Sequence, residues 1–195
     1  MANNPGANSQ GAVFLDRDGV IIEDIGYLGD PALIRFIPGA PAAIRRLNER
    51  AVKVIVVTNQ AGVARGYYPE SAIAAVHRRI SELLAAESAH VDAFFYCPHH
   101  PRHGLPPYRQ ECACRKPQPG MILQGAAQFG ADLARSVLIG DKHSDILAAH
   151  NAGTRSILVM TGYGRAHWSN WSDPVKPDFI AEDLPSAVDL VIPLL

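Results

Sequence analysis

Two carboxylates one residue apart, Asp16 and Asp18, close the apolar run Ala12-Val13-Phe14-Leu15, and Gly19 follows them at once. Alone, the pair reads as a solvated turn, because Asp and Gly are common turn residues. Thr58 and Asp141 alter that reading, since each also ends an aliphatic run, 52–57 and 137–140. With Lys116, from Cys114-Arg115-Lys116-Pro117, these side chains have complementary chemistry toward a phosphate ester. Asp16 and Asp141 suit Mg²⁺, which takes a few carboxylates and keeps positions open for water and phosphate; the main-chain carbonyl of Asp18 would add a third protein ligand. The ion would offset phosphate charge so that Asp16 can attack as nucleophile and form an aspartyl phosphate. Asp18 would give a proton to the leaving alkoxide and later take one from the hydrolytic water. Thr58 offers a hydroxyl, and Lys116 a compact positive charge, to the phosphoryl oxygens.

Groups so far apart in sequence meet only if the runs that carry them are neighbouring parallel strands with their carboxyl ends on one side. Continuous apolar runs such as 12–15 and 52–57 are what a parallel sheet covered on both faces requires. Between them, residues 20–37 lack a sustained period and read as an irregular excursion, a small hairpin over the strand end, and 41–50 as a short amphipathic helix begun by prolines. Pro69-Glu70 opens a longer helix with Ile73, Val76, Ile80 and Leu84 on one face, and 92–96 reads as a strand. Residues 97–118 are rich in Pro, His, Gly and Cys, and too long and irregular for an ordinary connection. A helix from Pro119 to a Gly130 cap, strand 137–141, a helix closing at Gly153 and strand 156–160 complete the alternation. Residues 161–177 read as a loop, 179–180 as an edge strand, and a last helix starts at Pro185. The class is α/β, a doubly wound parallel sheet.

The chain has 195 residues and a net charge of -1, which suits one α/β domain over residues 12–195 and gives no global attraction to nucleic acid or anionic membrane. Residues 1–11 read as a flexible tail, with neither signal nor anchor character. No apolar stretch approaches the roughly 20 residues needed to span a bilayer. The expectation is a cytoplasmic monomer acting on a small molecule. Three cysteines, all between Cys97 and Cys114, cannot form a closed set of disulfides and point to a reducing compartment.

Asp16-x-Asp18-Gly19, Thr58-Asn59, Lys116-Pro117 and Gly140-Asp141-x-x-x-Asp145, in that order, resemble the four motifs of the haloacid dehalogenase superfamily of phosphohydrolases, over nearly the whole chain after the tail. The resemblance implies a Rossmann-like three-layer fold with a minimal cap, obligatory Mg²⁺ and the aspartyl-phosphate route. Val20 stands where many members carry Thr.

Cys97-Pro98-His99 and Cys112-Ala113-Cys114 form two short chelating arms around a loop, supplying three thiolates and an imidazole for a structural tetrahedral Zn²⁺ at 97–114. A reduced, metal-free cysteine trio is the alternative; His100 and His103 compete with His99, though both read better as solvated loop residues. Zinc would fix Arg115 and Lys116, which follow the last ligand, at the crevice rim. This loop resembles the bacterial heptose 1,7-bisphosphate phosphatases and their relatives, the histidinol-phosphate phosphatases. Asp24-Ile25-Gly26-Tyr27 and Thr58-Asn59-Gln60-Ala61-Gly62 are more similar to the heptose enzymes, which serve nucleotide-activated heptose and lipopolysaccharide synthesis. That resemblance makes a phosphorylated sugar the expected substrate, with Asp24, Gly26, Tyr27, Asn59, Gln60, Arg115 and Lys142 as its contacts; Arg65 is a further candidate, though it reads better as a surface arginine. Asp145 is expected to support the site from behind or to hold a loop lysine. Trp168 and Trp171 are read as edge packing, and His143 and His150 as surface or packing residues. A non-catalytic module on a phosphatase scaffold is the remaining alternative.

Overall fold

The computed structural model describes residues 10–195. Six parallel strands form one sheet: β1 (Ala12–Leu15), β2 (Lys53–Asn59), β3 (Ala93–Cys97), β4 (Val137–Gly140), β5 (Arg155–Val159) and β6 (Phe179–Ala181), in spatial order β3-β2-β1-β4-β5-β6. That order reverses between β1 and β4, and open α/β sheets bind ligands outside the carboxyl ends of the strands at such a point. Register carries the geometry further: Leu15 pairs with Val56 on one side and Ile139 on the other, and Asp16 N–H still donates to the Ile139 carbonyl at 2.9 Å.

Successive side chains of a strand point to opposite faces, and each face here has its own cover. Val13 and Leu15 pack with Val54, Val56 and Ile139 against α1 (Ala40–Asn48), α2 (Glu70–Ala86) and α6 (Leu184–Val191). Ala12 and Phe14 pack with Ile55, Val57 and Leu138 against α3 (Gly120–Phe129) and α4 (His143–Ala152). The three layers match the expectation. Burial of both faces is why 12–15 and 53–57 read as unbroken apolar runs.

The excursion after β1 is a compact antiparallel turn: Ile22 bridges Phe36, and Ile37 N–H donates to the Ile21 carbonyl at 3.0 Å. One expectation is corrected. Residues 161–177 are not all loop, because α5 spans Gly164–Ser169. Six residues make under two turns, too few for a 3.6-residue period to show in sequence. Residues 1–9 of the expected tail lie outside the described residues; Gln10 accepts from Asp132 N–H at 3.2 Å, and Gly11 is buried. No helix among the described residues is long and apolar enough to cross a membrane.

Candidate active site

The ends of β2, β1 and β4 are adjacent in the sheet, so Thr58, Asp16 and Asp141 come together there, and Thr58 and Asp16 line a cleft of about 430 Å³. Asp16, Asp18, Thr58 and Lys116 line it, as do Asp24, Gly26, Tyr27, Asn59, Gln60, Arg115 and Lys142. Asp141 lies beneath the lining, fully buried. Tyr68, Ser144, Tyr163 and His167, which the sequence reading did not single out as site residues, also face the cleft.

Lys116 is the electrostatic centre. Its ammonium lies 3.0 Å from Asp16 Oδ1 and 2.7 Å from Asp145 Oδ1, and donates to the Val57 carbonyl at 2.7 Å. Burial alone would lower its pKa, but the Asp145 and Asp16 carboxylates outweigh that and hold it above its ordinary value. Of the two roles expected for Asp145, the geometry is that of a residue holding the loop lysine; its other oxygen accepts from Lys142 N–H at 2.9 Å. The Lys116 backbone is clamped as well, since the Asn59 carboxamide accepts from its N–H and donates to its carbonyl, both at 3.1 Å. Asn59 therefore faces the cleft while its polar atoms serve the lysine.

Asp16 is buried, which raises a carboxyl pKa, yet the charges of Lys116 and Lys142 with the Arg17 N–H (2.7 Å) bring it below its ordinary value. Asp141 goes the other way. Burial, with Asp16 and Asp145 nearby, pushes it up to about 8. Its Oδ2 accepts from Tyr163 N–H at 2.8 Å, but its buried Oδ1 has no hydrogen-bond partner among the described residues, only the Lys142 ammonium 3.7 Å away. Carboxylate oxygens of Asp16, Asp141 and Asp145 lie within 4.8 Å of one another. Three buried carboxylates that share Lys116 and Lys142, one of them with an oxygen that accepts no hydrogen bond, form a site short of positive charge, which a divalent oxygen-seeking cation fits. Gly19 is shaped by the same acid: its φ is +85°, and a Cβ there would meet Asp141 Oδ2 at 2.3 Å. Only glycine lets the first motif's backbone pass so close.

Asp18 turns away from these acids. Arg17 Nε and Nη2 donate to it at 3.2 and 3.0 Å, and Gln60 Nε2 donates to its Oδ2 at 2.8 Å. Arg17 is wholly buried, and the sequence reading gave it no part. An arginine between two acids that follow a buried strand was the available clue: a buried guanidinium needs acceptors, and Asp18 is one. At the rim, Lys142 Nζ pairs with Asp24 Oδ2 at 2.8 Å and lies over the Tyr163 ring. Asp24 Oδ1 accepts from Gly26 N–H at 2.7 Å, which shapes the turn carrying Tyr27. Arg65 stacks over the Tyr27 ring, 5.8 Å from its centroid.

The cysteine loop gathers as expected. Cys97 Sγ is 3.5 Å from Cys112 Sγ and 3.7 Å from His99 Nδ1; Cys114 Sγ is 3.3 Å from Cys112 Sγ and 3.6 Å from His99 Nδ1. Tetrahedral zinc, with Zn–S of about 2.3 Å and Zn–N of about 2.0–2.1 Å, spaces its ligand atoms about 3.5–3.8 Å apart. The cluster is compatible with that ion. His100 stays outside it, its Nδ1 accepting from the Arg102 and His103 amides at 3.1 and 3.0 Å. His99 returns its carbonyl to Arg115 Nη1 at 3.1 Å, tying the cluster to the rim cation.

Comparison with known proteins finds relatives in sequence and in fold. The HAD-hydrolase-like family model matches residues 113–187. A D-glycero-D-manno-heptose-1,7-bisphosphate 7-phosphatase of Thermosynechococcus vestitus is 42% identical over 185 residues, covering 92% of this chain and 94% of its own. The D-glycero-beta-D-manno-heptose-1,7-bisphosphate 7-phosphatase of Salmonella typhi is 40% identical, covering 93% and 97%. The crystal structure of the D,D-heptose 1,7-bisphosphate phosphatase of B. bronchiseptica, complexed with magnesium and phosphate, superposes with a TM-score of 0.83 at 34% identity, covering 95% of this chain and all of that one. The chain belongs to the haloacid dehalogenase-like hydrolases, in the family of the heptose 1,7-bisphosphate phosphatases.

Proposed function

We propose that this chain is a Mg²⁺-dependent phosphatase that hydrolyses the C7 phosphate of D-glycero-D-manno-heptose 1,7-bisphosphate. The observation that carries the reading is the Asp16 carboxylate at the switch point of the sheet, buried against Lys116 and beside an Asp141 oxygen that accepts no hydrogen bond from the described residues. Asp16 attacks the phosphorus and becomes the aspartyl phosphate. Thr58 and Lys116 hold the transferring oxygens, and Asp18 protonates the departing sugar alkoxide and then deprotonates the water that releases phosphate. Asp16, Asp141 and the Asp18 carbonyl would hold Mg²⁺, which would supply positive charge to the phosphoryl group. Arg115, Lys142, Asp24, Gly26 and Tyr27 line the cleft as the sugar contacts of this reading, while Asn59 and Gln60, also in the lining, hold Lys116 and Asp18, and a substrate with two phosphates suits a rim that carries Arg115 in addition to Lys116. The substrate rests on the names of the relatives, and a cytoplasmic monomer over residues 12–195 goes with this reading. Side-by-side kcat/KM for the two anomers of heptose 1,7-bisphosphate and for histidinol phosphate tests it. A higher value for histidinol phosphate would overturn the substrate.

A proton on Asp141 competes with the cation. Since burial sets that acid at about 8, Mg²⁺ affinity is expected to rise about tenfold per pH unit below that value and to level off above it. Substrate-free titrations at about pH 6 and about pH 9 measure this, and equal affinities would contradict it.

Cys97, His99, Cys112 and Cys114 hold Zn²⁺ in this reading. Burial holds the Cys97 thiol above its ordinary value, and a coordinated zinc would draw its proton off outright. Chelating the ion is expected to raise KM about tenfold, through loss of the Arg115 position, with far-UV circular dichroism little changed. Unchanged kinetics in a verified zinc-free sample would count against it.

A further inference from the structure

Gln60 sits at a four-way junction. Its Oε1 accepts from Arg17 Nη2 at 2.9 Å and from the Tyr68 hydroxyl at 3.0 Å, while its Nε2 donates to Asp18 Oδ2 and to Thr58 Oγ1, both at 2.8 Å. Every hydrogen-bonding position of the carboxamide is used. The orientation is forced, because a guanidinium can only donate; Oε1 must face Arg17, so Nε2 must face Asp18 and Thr58. Thr58 Oγ1 is then an acceptor toward Gln60, which frees its own proton for the cleft. The Tyr68 phenol, held above its ordinary pKa by burial, remains a donor.

The Tyr68 ring is itself seated in a slot that only glycine allows. A Cβ at Gly29 would lie 2.6 Å from Tyr68 Cδ1, and one at Gly62 would lie 2.5 Å from Cε1. Gly29 belongs to the excursion after β1 and Gly62 to the loop after β2, so the ring joins the two segments that wall the cleft and delivers its hydroxyl to Gln60.

We infer that Tyr68 and Gln60 are positioning residues, a relay that aims the Thr58 hydroxyl and the Asp18 carboxylate at the bound phosphate ester. The inference deepens the proposed function, since it rests on the donor role of Thr58 and the proton-transfer role of Asp18. It makes a prediction that simple structural support does not. An alkoxide leaving group needs its proton from Asp18, whereas a nitrophenolate departs without one, so misaiming Asp18 must harm the sugar phosphate more.

The test compares kcat/KM on heptose 1,7-bisphosphate and on 4-nitrophenyl phosphate. Gln60→Leu is expected to lose about 100-fold on the sugar and about tenfold or less on the aryl ester; Tyr68→Phe, which deletes one oxygen, loses about five-fold on the sugar and little on the aryl ester. Should Gln60→Leu not fold, Tyr68→Phe decides alone. Equal losses on both substrates, or no loss on either, overturn the relay. Asp18→Asn serves as the control and must show the same asymmetry. If it shows none, the acid role assigned to Asp18 falls, and the relay with it; asymmetry in Asp18→Asn but not in the relay variants removes the relay alone.

Discussion

Asp16→Asn is expected to lose phosphatase activity by about 10⁴-fold or more while folding normally, because an amide cannot form the acyl phosphate through which the reaction passes. Normal folding follows from the balance of charge around the site. Asp16 contributes an ion pair with Lys116, but Lys116 keeps Asp145 and the Val57 carbonyl as partners. Asp16 also raises the pKa of Asp141, so its removal relieves a buried like-charge contact. These effects oppose one another, and the melting temperature should move by only a few degrees, about 2–4 °C. Acid quenching during turnover of phosphate-labelled substrate should leave label on the wild-type chain and none on the variant. Substantial residual turnover, or label retained by the variant, would remove Asp16 as nucleophile.

Lys116→Met should damage both stability and activity, in separable ways. The ammonium is buried between two carboxylates, and removing one partner of such a group leaves uncompensated charge, at a cost of about 3–5 kcal/mol. In a chain of this size that is a fall in melting temperature of roughly 10 °C. The loss of preorganised charge at the phosphoryl group should lower kcat about 100–1,000-fold. Adding Asp145→Asn removes one of the stranded carboxylates, so the double variant should recover much of the stability and none of the rate. Full recovery of kcat in the double variant would show that Lys116 acts only through folding.

The catalytic end of the site was legible because chemistry and chain pattern coincide there. Asp16, Thr58 and Asp141 each terminate a run buried on both faces, and the fold needs nothing more than parallel pairing to bring them together. Lys116 was legible only through its motif and the cysteine arms beside it. Arg17, Tyr68 and the junction role of Gln60 were not, since their function lies in contacts across 43 residues and in glycines at 29 and 62 that look like turn residues in a sequence. Asn59 shows a related limit. Its place in a motif suggested substrate, whereas its amide is committed to the backbone of Lys116. The helix Gly164–Ser169 was hidden by its length.

Lys116 belongs to the loop after β3 by covalent order, but by contact it belongs to β2. Its N–H, its carbonyl and its ammonium are all registered on that strand, by Asn59 and the Val57 carbonyl. The segment between β3 and Lys116 is therefore a tethered arc with both ends pinned, and its contour length does not enter the position of the charge. Closing a flexible arc grows more costly by only about 0.6 kcal/mol for each doubling of length. Insertions or deletions around residues 101–111 should then leave the phosphoryl site where it is.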